Sequence, residues 1–284
     1  MKTKFIAEVC SNHNGDLNRA LKFVDFAKEN GFYAVKFQLF KIDKLFSKDA
    51  KKLFKVAKKK TKRELPRKFI PKIAEYCKKK GIKFSCTPFD ISAVEFLERY
   101  VDFYKIASYE MAWPELLKAC AKTKKPVILS TGMSHLNEVT KSINILKENN
   151  CKKISLLHCV SAYPASTISC NLNSIKFLKK KFNCDVGWSD HTVNQLLIYS
   201  AVKNQNSNYV ELHVDLDGKG WENIGGEHCW SPKKIKNLMN YLKNEKRING
   251  SLSKKVSKEE KKERKFRADP SDGLRPIKSF RKEL

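Results

Sequence analysis

"PVILSTGMSHLNEVTKSINILKENNCKKISLLHCV", Pro126 to Val160, reads as strand, helix, strand. "PVILS" and "ISLLHCV" are short apolar runs, and the segment between them, from about Asn137 to Asn149, has helical spacing. Strands this apolar have to be covered on both faces, as in a parallel sheet. The same unit recurs in both directions. "KFIAEVC", "AVKFQL", "IKFSCT" and "FYKIAS" lie before it, and "CDVGWS" and "YVELHV" after it. Helices follow the other strands. One runs from Leu17 to Asn30, capped by Asp16 and ended by Gly31. One runs from about Pro66 to Lys80, stopped by Gly81, and one from Ile91 to Tyr100, capped by Asp90. Further helices begin near Pro114, Leu172, Val193 and Pro232. Eight strand–helix pairs in about 245 residues predict an α/β fold, a (β/α)8 TIM barrel over residues 1–250. A doubly wound open sheet is the alternative. It is weakened because no GxGxxG or GxxxxGK[ST] follows the first strand.

The bulk composition sets limits. With 284 residues and 41% hydrophobic content, the chain can bury one large core. No apolar run approaches the roughly 20 residues that span a bilayer, and "MKTKFIAEVC" lacks the features of a signal peptide. A cytoplasmic protein without membrane partners is expected. Nine cysteines, none in a CxxC pair, fit reduced thiols better than a disulfide framework. The net charge of +28 is extreme, and residues 51–80 hold 14 Lys or Arg against two Glu. The lysines are spread over nearly every predicted helix, with no RNA-binding motif or Gly-Arg tract. Solvated helix faces explain them better than a nucleic-acid partner, and a positive field would attract an anionic substrate. After residue 250 the pattern stops. "SKKVSKEEKKERKFRADPSDGLRPIKSFRKEL" is charged and turn-rich, so residues 251–284 read as an extension that returns over the barrel mouth.

In a barrel, side chains at the C-terminal strand ends converge on one mouth. Those ends carry Glu8, Lys36, Gln38, Thr87, Lys105, Ser108, Ser130, His158, Ser189, His191, Glu211 and His213. Charges within buried strands are costly unless paired or liganded. Lys36 and Lys105, with the hydroxyls of Thr87, Ser108, Ser130 and Ser189, suit a phosphate or carboxylate. A Schiff-base lysine is a second option. His191 in "SDHT" and His213 in "ELHVD" end neighbouring strands. They could be packed and hydrogen-bonded, or they could share a metal such as manganese, zinc, cobalt or iron, with Asp190 or Glu211 orienting a ring. "NHNG", Asn12 to Gly15, is either a turn or a set of sugar contacts.

"IAEVCSNHNGDLNRALKFVDFAKENGFYAVKFQ", "FSCTPFD", "YKIAS", "PVILSTGM", "LLHCVSAYP", "VGWSDHT" and "ELHVDLDGKG", in this order, resemble the sialic acid synthase family. Members condense phosphoenolpyruvate with an N-acetylated amino sugar such as N-acetylmannosamine and release phosphate. The resemblance implies that Glu8 contacts the aldehyde sugar and acts as acid or base. It implies that Lys36, Thr87, Lys105, Ser108, Ser130 and Ser189 hold phosphoenolpyruvate, and that Gln38 and Tyr163 line the sugar side. It makes His191 and His213 the ligands of a divalent ion, Mn2+ or Mg2+. A homodimer is also implied. The chain departs from the family in three places. It ends before the antifreeze-like domain that supplies an arginine to the sugar, so Arg267 or Arg275 of "RADPSDGLRP" is the expected substitute. "DLDGKGWENIGGEHCWSP" replaces a Pro-Gly-Pro-Asp loop, leaving Glu227 and His228 as candidate sugar contacts. Ser161 stands where many members have a polar amide. The acceptor is therefore either a mannosamine or a diacetamido dideoxyhexose leading to legionaminic- or pseudaminic-type acids. The rival readings are a heptulosonate phosphate synthase, which needs a second phosphate site, and a catalytically inactive basic binding barrel.

Overall fold

The computed structural model describes residues 3–47, 49–50, 63–222 and 227–282 of the 284. Eight parallel strands pair in chain order and close into a barrel. They are β1 (Lys4–Cys10), β2 (Ala34–Leu39), β3 (Lys83–Pro88), β4 (Phe103–Ile106), β5 (Val127–Ser130), β6 (Ile154–Cys159), β7 (Asp185–Asp190) and β8 (Tyr209–His213). Closure is made by β8 against β1, where Lys4 pairs with Tyr209 and Glu8 with His213. The predicted (β/α)8 barrel is the fold.

Most boundaries fall where the apolar runs place them. The strand expected to reach Ser108 stops at Ile106, because the chain turns there and the Glu110 amide donates to the Ala107 carbonyl at 3.1 Å. The helix expected from Pro66 begins at Ile70. Pro66 is extended, and Arg67–Phe69 forms a single 3-10 turn ahead of it. Asp16 and Asp90 cap as expected, accepting from the Arg19 and Ala93 amides at 2.7 and 2.8 Å. Much of the basic surplus, residues 51–62, lies outside the described residues.

Side chains alternate along each strand, so the barrel interior is built in layers. Ile6, Ala34, Phe103, Ile128, Leu157 and Tyr209 form an apolar layer at the N-terminal end. Two residues further along the same strands come Glu8, Lys36, Lys105, Ser130, Cys159 and Glu211. The opposite faces of the strands and the surrounding helices make the larger core, in which Trp188 and Trp230 are fully buried. β7 leaves no room for a side chain at Gly187, where an added Cβ would lie 2.0 Å from the Tyr209 carbonyl oxygen of β8.

The chain divides into two compact units, Met1–Leu242 and Lys243–Leu284. Within the second, Phe266 meets Phe280 edge-on at 5.4 Å, and Asp269 accepts from the Ser271 and Lys278 amides at 2.9 and 2.7 Å. Arg281 holds Asp272 by two contacts of 2.5 and 2.9 Å, so "RADPSDGLRP" is an ordered turn. Arg267 and Arg275 are exposed on it. Among the described residues, no helix is long and apolar enough to cross a membrane.

Candidate active site

At the C-terminal strand ends lies a cavity of about 300 Å³. Nine of the eleven residues to which the family resemblance gives a role line it: Lys36, Gln38, Lys105, Ser108, Ser130, Tyr163, Ser189, His191 and His213. Glu8 and Thr87 lie beneath, fully buried.

The floor is a lattice of alternating charge. Lys36 contacts Glu8 and reaches Thr87 Oγ1 at 3.3 Å and Glu211 Oε1 at 3.7 Å. Lys105 donates to Ser130 Oγ at 2.7 Å and lies 3.6 Å from the same Glu211 oxygen, which also accepts from Ser189 Oγ at 3.1 Å. Glu8 accepts from the Cys10 amide at 2.7 Å and from Gln38 Nε2 at 3.3 Å. Burial lowers the Lys36 ammonium to about 8, against the pull of Glu211 and with the push of Lys105. Burial raises Glu211, but Lys105 and Lys36 outweigh it and hold the carboxyl below its ordinary range. Glu211 therefore neutralises the two lysines and does not orient a histidine.

Nor does Asp190 orient one. Its carboxylate accepts from the Trp188 and Trp230 indoles at 3.1 and 2.9 Å, from Thr192 Oγ1 at 2.7 Å and from the Val193 amide at 3.0 Å. It shapes the turn that carries His191. The His191 ring is instead set by Nδ1, 2.6 Å from the Val160 carbonyl, which leaves Nε2 as the lone-pair nitrogen facing the mouth. The His191 and His213 centroids are 5.2 Å apart, and Tyr163 packs on His191 at 4.3 Å. Burial pushes both imidazoles below their usual range, His213 well below it, with His191 and His228 adding to the effect. Neutral rings are the form that ligates a cation, and His213 Nδ1 is buried without a hydrogen-bond partner. The donor set thus fits a divalent ion.

Other expectations are corrected. His158 is structural, bonded to the Cys170 carbonyl at 2.8 Å and packed on Trp188. "NHNG" makes no wall of the cavity. Asn12 is buried, donates to the Val214 carbonyl at 2.8 Å and accepts from the Glu222 amide at 2.8 Å, tying down the loop after β8. Arg19 grips the same loop through Asp215 at 2.8 Å and Asp217 at 2.7 Å. Glu227 is exposed and does not line the cavity, whereas His228 is buried and does. The sequence reading missed Glu222, whose Oε2 lies 3.3 Å from His228 Nε2. Its one signal was an acid and a histidine six residues apart in the sequence "ENIGGEH".

On the sequence side, the NeuB family profile matches residues 23–254, more than half of the chain. The chain belongs to the NeuB family. It is 38% identical over 277 residues to an N,N'-diacetyllegionaminic acid synthase of Campylobacter jejuni, covering 92% of this chain and 81% of that one. It is 34% identical over 230 residues to a pseudaminic acid synthase of the same species, covering 76% and 66%. A solved structure, the N-acetylneuraminic acid synthetase of Leptospira borgpetersenii in complex with citrate, superposes with a TM-score of 0.76 at 30% identity, covering 93% of this chain and 90% of that one. The resemblance to sialic acid synthases read from the sequence motifs therefore holds.

One buried acid in this NeuB chain lies outside the lattice. Glu110, in the turn after β4, has an unpartnered Oε2, and burial raises its carboxyl from 4.5 to about 7, opposed by Lys105. A folded-state value above the unfolded one favours the fold at low pH. The contribution is full below 4.5 and is lost as pH rises to about 7. Glu110→Gln should therefore gain up to about 3 kcal/mol on the parent between pH 4.5 and 8. Urea midpoints at both pH values check this, and parallel pH profiles for the two proteins would rule it out.

Proposed function

We propose that this chain joins phosphoenolpyruvate to an N-acetylated amino sugar, a diacetamido dideoxyhexose or N-acetylmannosamine, forming a nonulosonic acid and releasing phosphate. The observation that carries the reading is one cavity with a lysine–hydroxyl lattice on its floor and a pair of buried histidines, their rings 5.2 Å apart, on its wall. Lys36 and Lys105, with Thr87, Ser108, Ser130 and Ser189, would fix the carboxylate and phosphate so that the methylene carbon faces the sugar aldehyde. Gln38 and Tyr163 would line the sugar side. Glu8, joined to Lys36, would exchange the proton at the aldehyde oxygen. Carbon–carbon bond formation leaves the second carbon of phosphoenolpyruvate open to water, and the resulting adduct loses phosphate. A divalent ion, manganese or magnesium, held by His191 and His213 would supply Lewis-acid polarisation of the aldehyde. The cavity lining holds two lysines and no arginine among the described residues, which favours an unphosphorylated sugar over a sugar phosphate.

Phosphate release is the test, with N-acetylmannosamine, diacetamido hexoses and phosphorylated sugars offered in turn, with and without chelator. Chelator-sensitive release with one unphosphorylated sugar is expected, whereas release only with a sugar phosphate would favour the heptulosonate-type reading. In His191→Ala, kcat should fall by at least about 1,000-fold while phosphoenolpyruvate affinity stays within a few-fold. Undiminished turnover in that variant would remove His191 from the ligand set.

A further inference from the structure

The cation site does not end at two histidines. His213, Glu222 and His228 each offer a donor atom, and the three donors lie within 4.8 Å of one another. His228 Nε2 and Glu222 Oε2 are 3.3 Å apart. Two donors on one ion with bonds of about 2.1 Å stand roughly 3.0 Å apart at a right angle and roughly 3.4 Å apart at a tetrahedral angle, so this separation matches an edge of a coordination shell. His213 Nδ1 is buried without a hydrogen-bond partner, a state that costs about 1–3 kcal/mol for an ordinary polar atom. The His213 and His228 rings are 5.0 Å apart, and Tyr163 packs against both His191 and His228.

The residues are held by the fold. The Glu222 amide is fixed by Asn12. His228 sits two residues before Trp230, whose amide donates to the His213 carbonyl at 2.7 Å and whose indole is held by Asp190. Glu222 and His228 therefore stand beside β8 in an arrangement that does not depend on a substrate.

We propose that His228 and Glu222 join His213 in holding the divalent cation beside His191, giving the free enzyme a site that includes two imidazoles and one carboxylate within reach of one ion. This rests on the reading of His191 and His213 as a cation pair. The carboxylate offsets one of the ion's two charges, which neutral rings cannot do. The ion should bind before either substrate arrives.

The experiment is a Mn2+ titration of the full chain without phosphoenolpyruvate or sugar, following free Mn2+ by electron paramagnetic resonance, with a circular dichroism melt of each variant. The parent should bind one ion per chain. Glu222→Gln and His228→Ala should each weaken binding at least 10-fold while melting as a folded protein, and His213→Ala should abolish it. Glu222→Gln keeps the test open if His228→Ala fails to fold. Parent-like affinity in Glu222→Gln would overturn the proposed site. So would a parent that binds no Mn2+ without substrates, yet chelator-sensitive phosphate release would then leave the synthase reading standing. Conversely, Mn2+ binding that depends on Glu222, with no phosphate release from any sugar, would keep the site and reject the synthase.

Discussion

Lys36→Met should cost the barrel about 3–5 kcal/mol and remove turnover. Lys36 is 2% exposed, and its ammonium stands between Glu8 and Glu211. Removing one member of a buried ion group leaves charge without compensation, and that, more than the lost attraction, sets the penalty. Two carboxylates would then share Lys105, which lies 3.6 Å from only one of them. Two consequences separate this from a generic packing defect. The deficit should shrink as pH falls, because the stranded carboxyls can take up protons. Adding Glu8→Gln to Lys36→Met should recover at least about 1 kcal/mol, a coupling that distant sites do not show. Urea unfolding between pH 5 and 8 measures both. A Lys36→Met protein within about 0.5 kcal/mol of the parent would mean that the lattice is not a buried ion network.

Gly187→Ala should be nearly as damaging, for a reason of shape. The added methyl would lie 2.0 Å from the Tyr209 carbonyl oxygen and 2.8 Å from its nitrogen, backbone atoms that cannot rotate away. β7 and β8 would have to separate, straining the pairing of Trp188 with Val210 and stretching the 3.1 Å bond from Ser189 to Glu211 one layer above. The expected loss is about 3 kcal/mol or more, a fall in Tm of roughly 6–12 °C for a domain of this size. Weaker phosphoenolpyruvate binding should accompany it in whatever protein remains folded. A melting point unchanged within 2–3 °C of the parent, taking about 1 kcal/mol as the limit of interest, would show that the strands can give way at no cost.

The barrel was legible because each strand is a short apolar run closed by a turn signal, and its polar end is conspicuous against that background. Lys36 and Lys105 were easy to single out for this reason. Their partners were harder to assign. Glu8, Lys36, Lys105 and Glu211 lie on four different strands, and only their contacts across the barrel interior show that carboxylates alternate with ammonium groups. Asp190 was misread because the two indoles that claim it come from residues 188 and 230, one of them beyond the last strand. Glu222 was missed because it stands in irregular chain, where no periodicity says which way a side chain points. Its position is fixed by Asn12, 210 residues earlier.

That link has a temporal meaning. Asn12 and Arg19 hold partners beyond the last strand, from Val214 to Cys229, that are made about 200 positions after them. A nascent chain can build successive strand–helix units as they emerge, but the half of the mouth that carries His213, Glu222 and His228 must wait for the last strand to meet the first. An incomplete barrel thus lacks the side chains proposed to hold the ion, and on that proposal capture of the ion would mark the moment of closure.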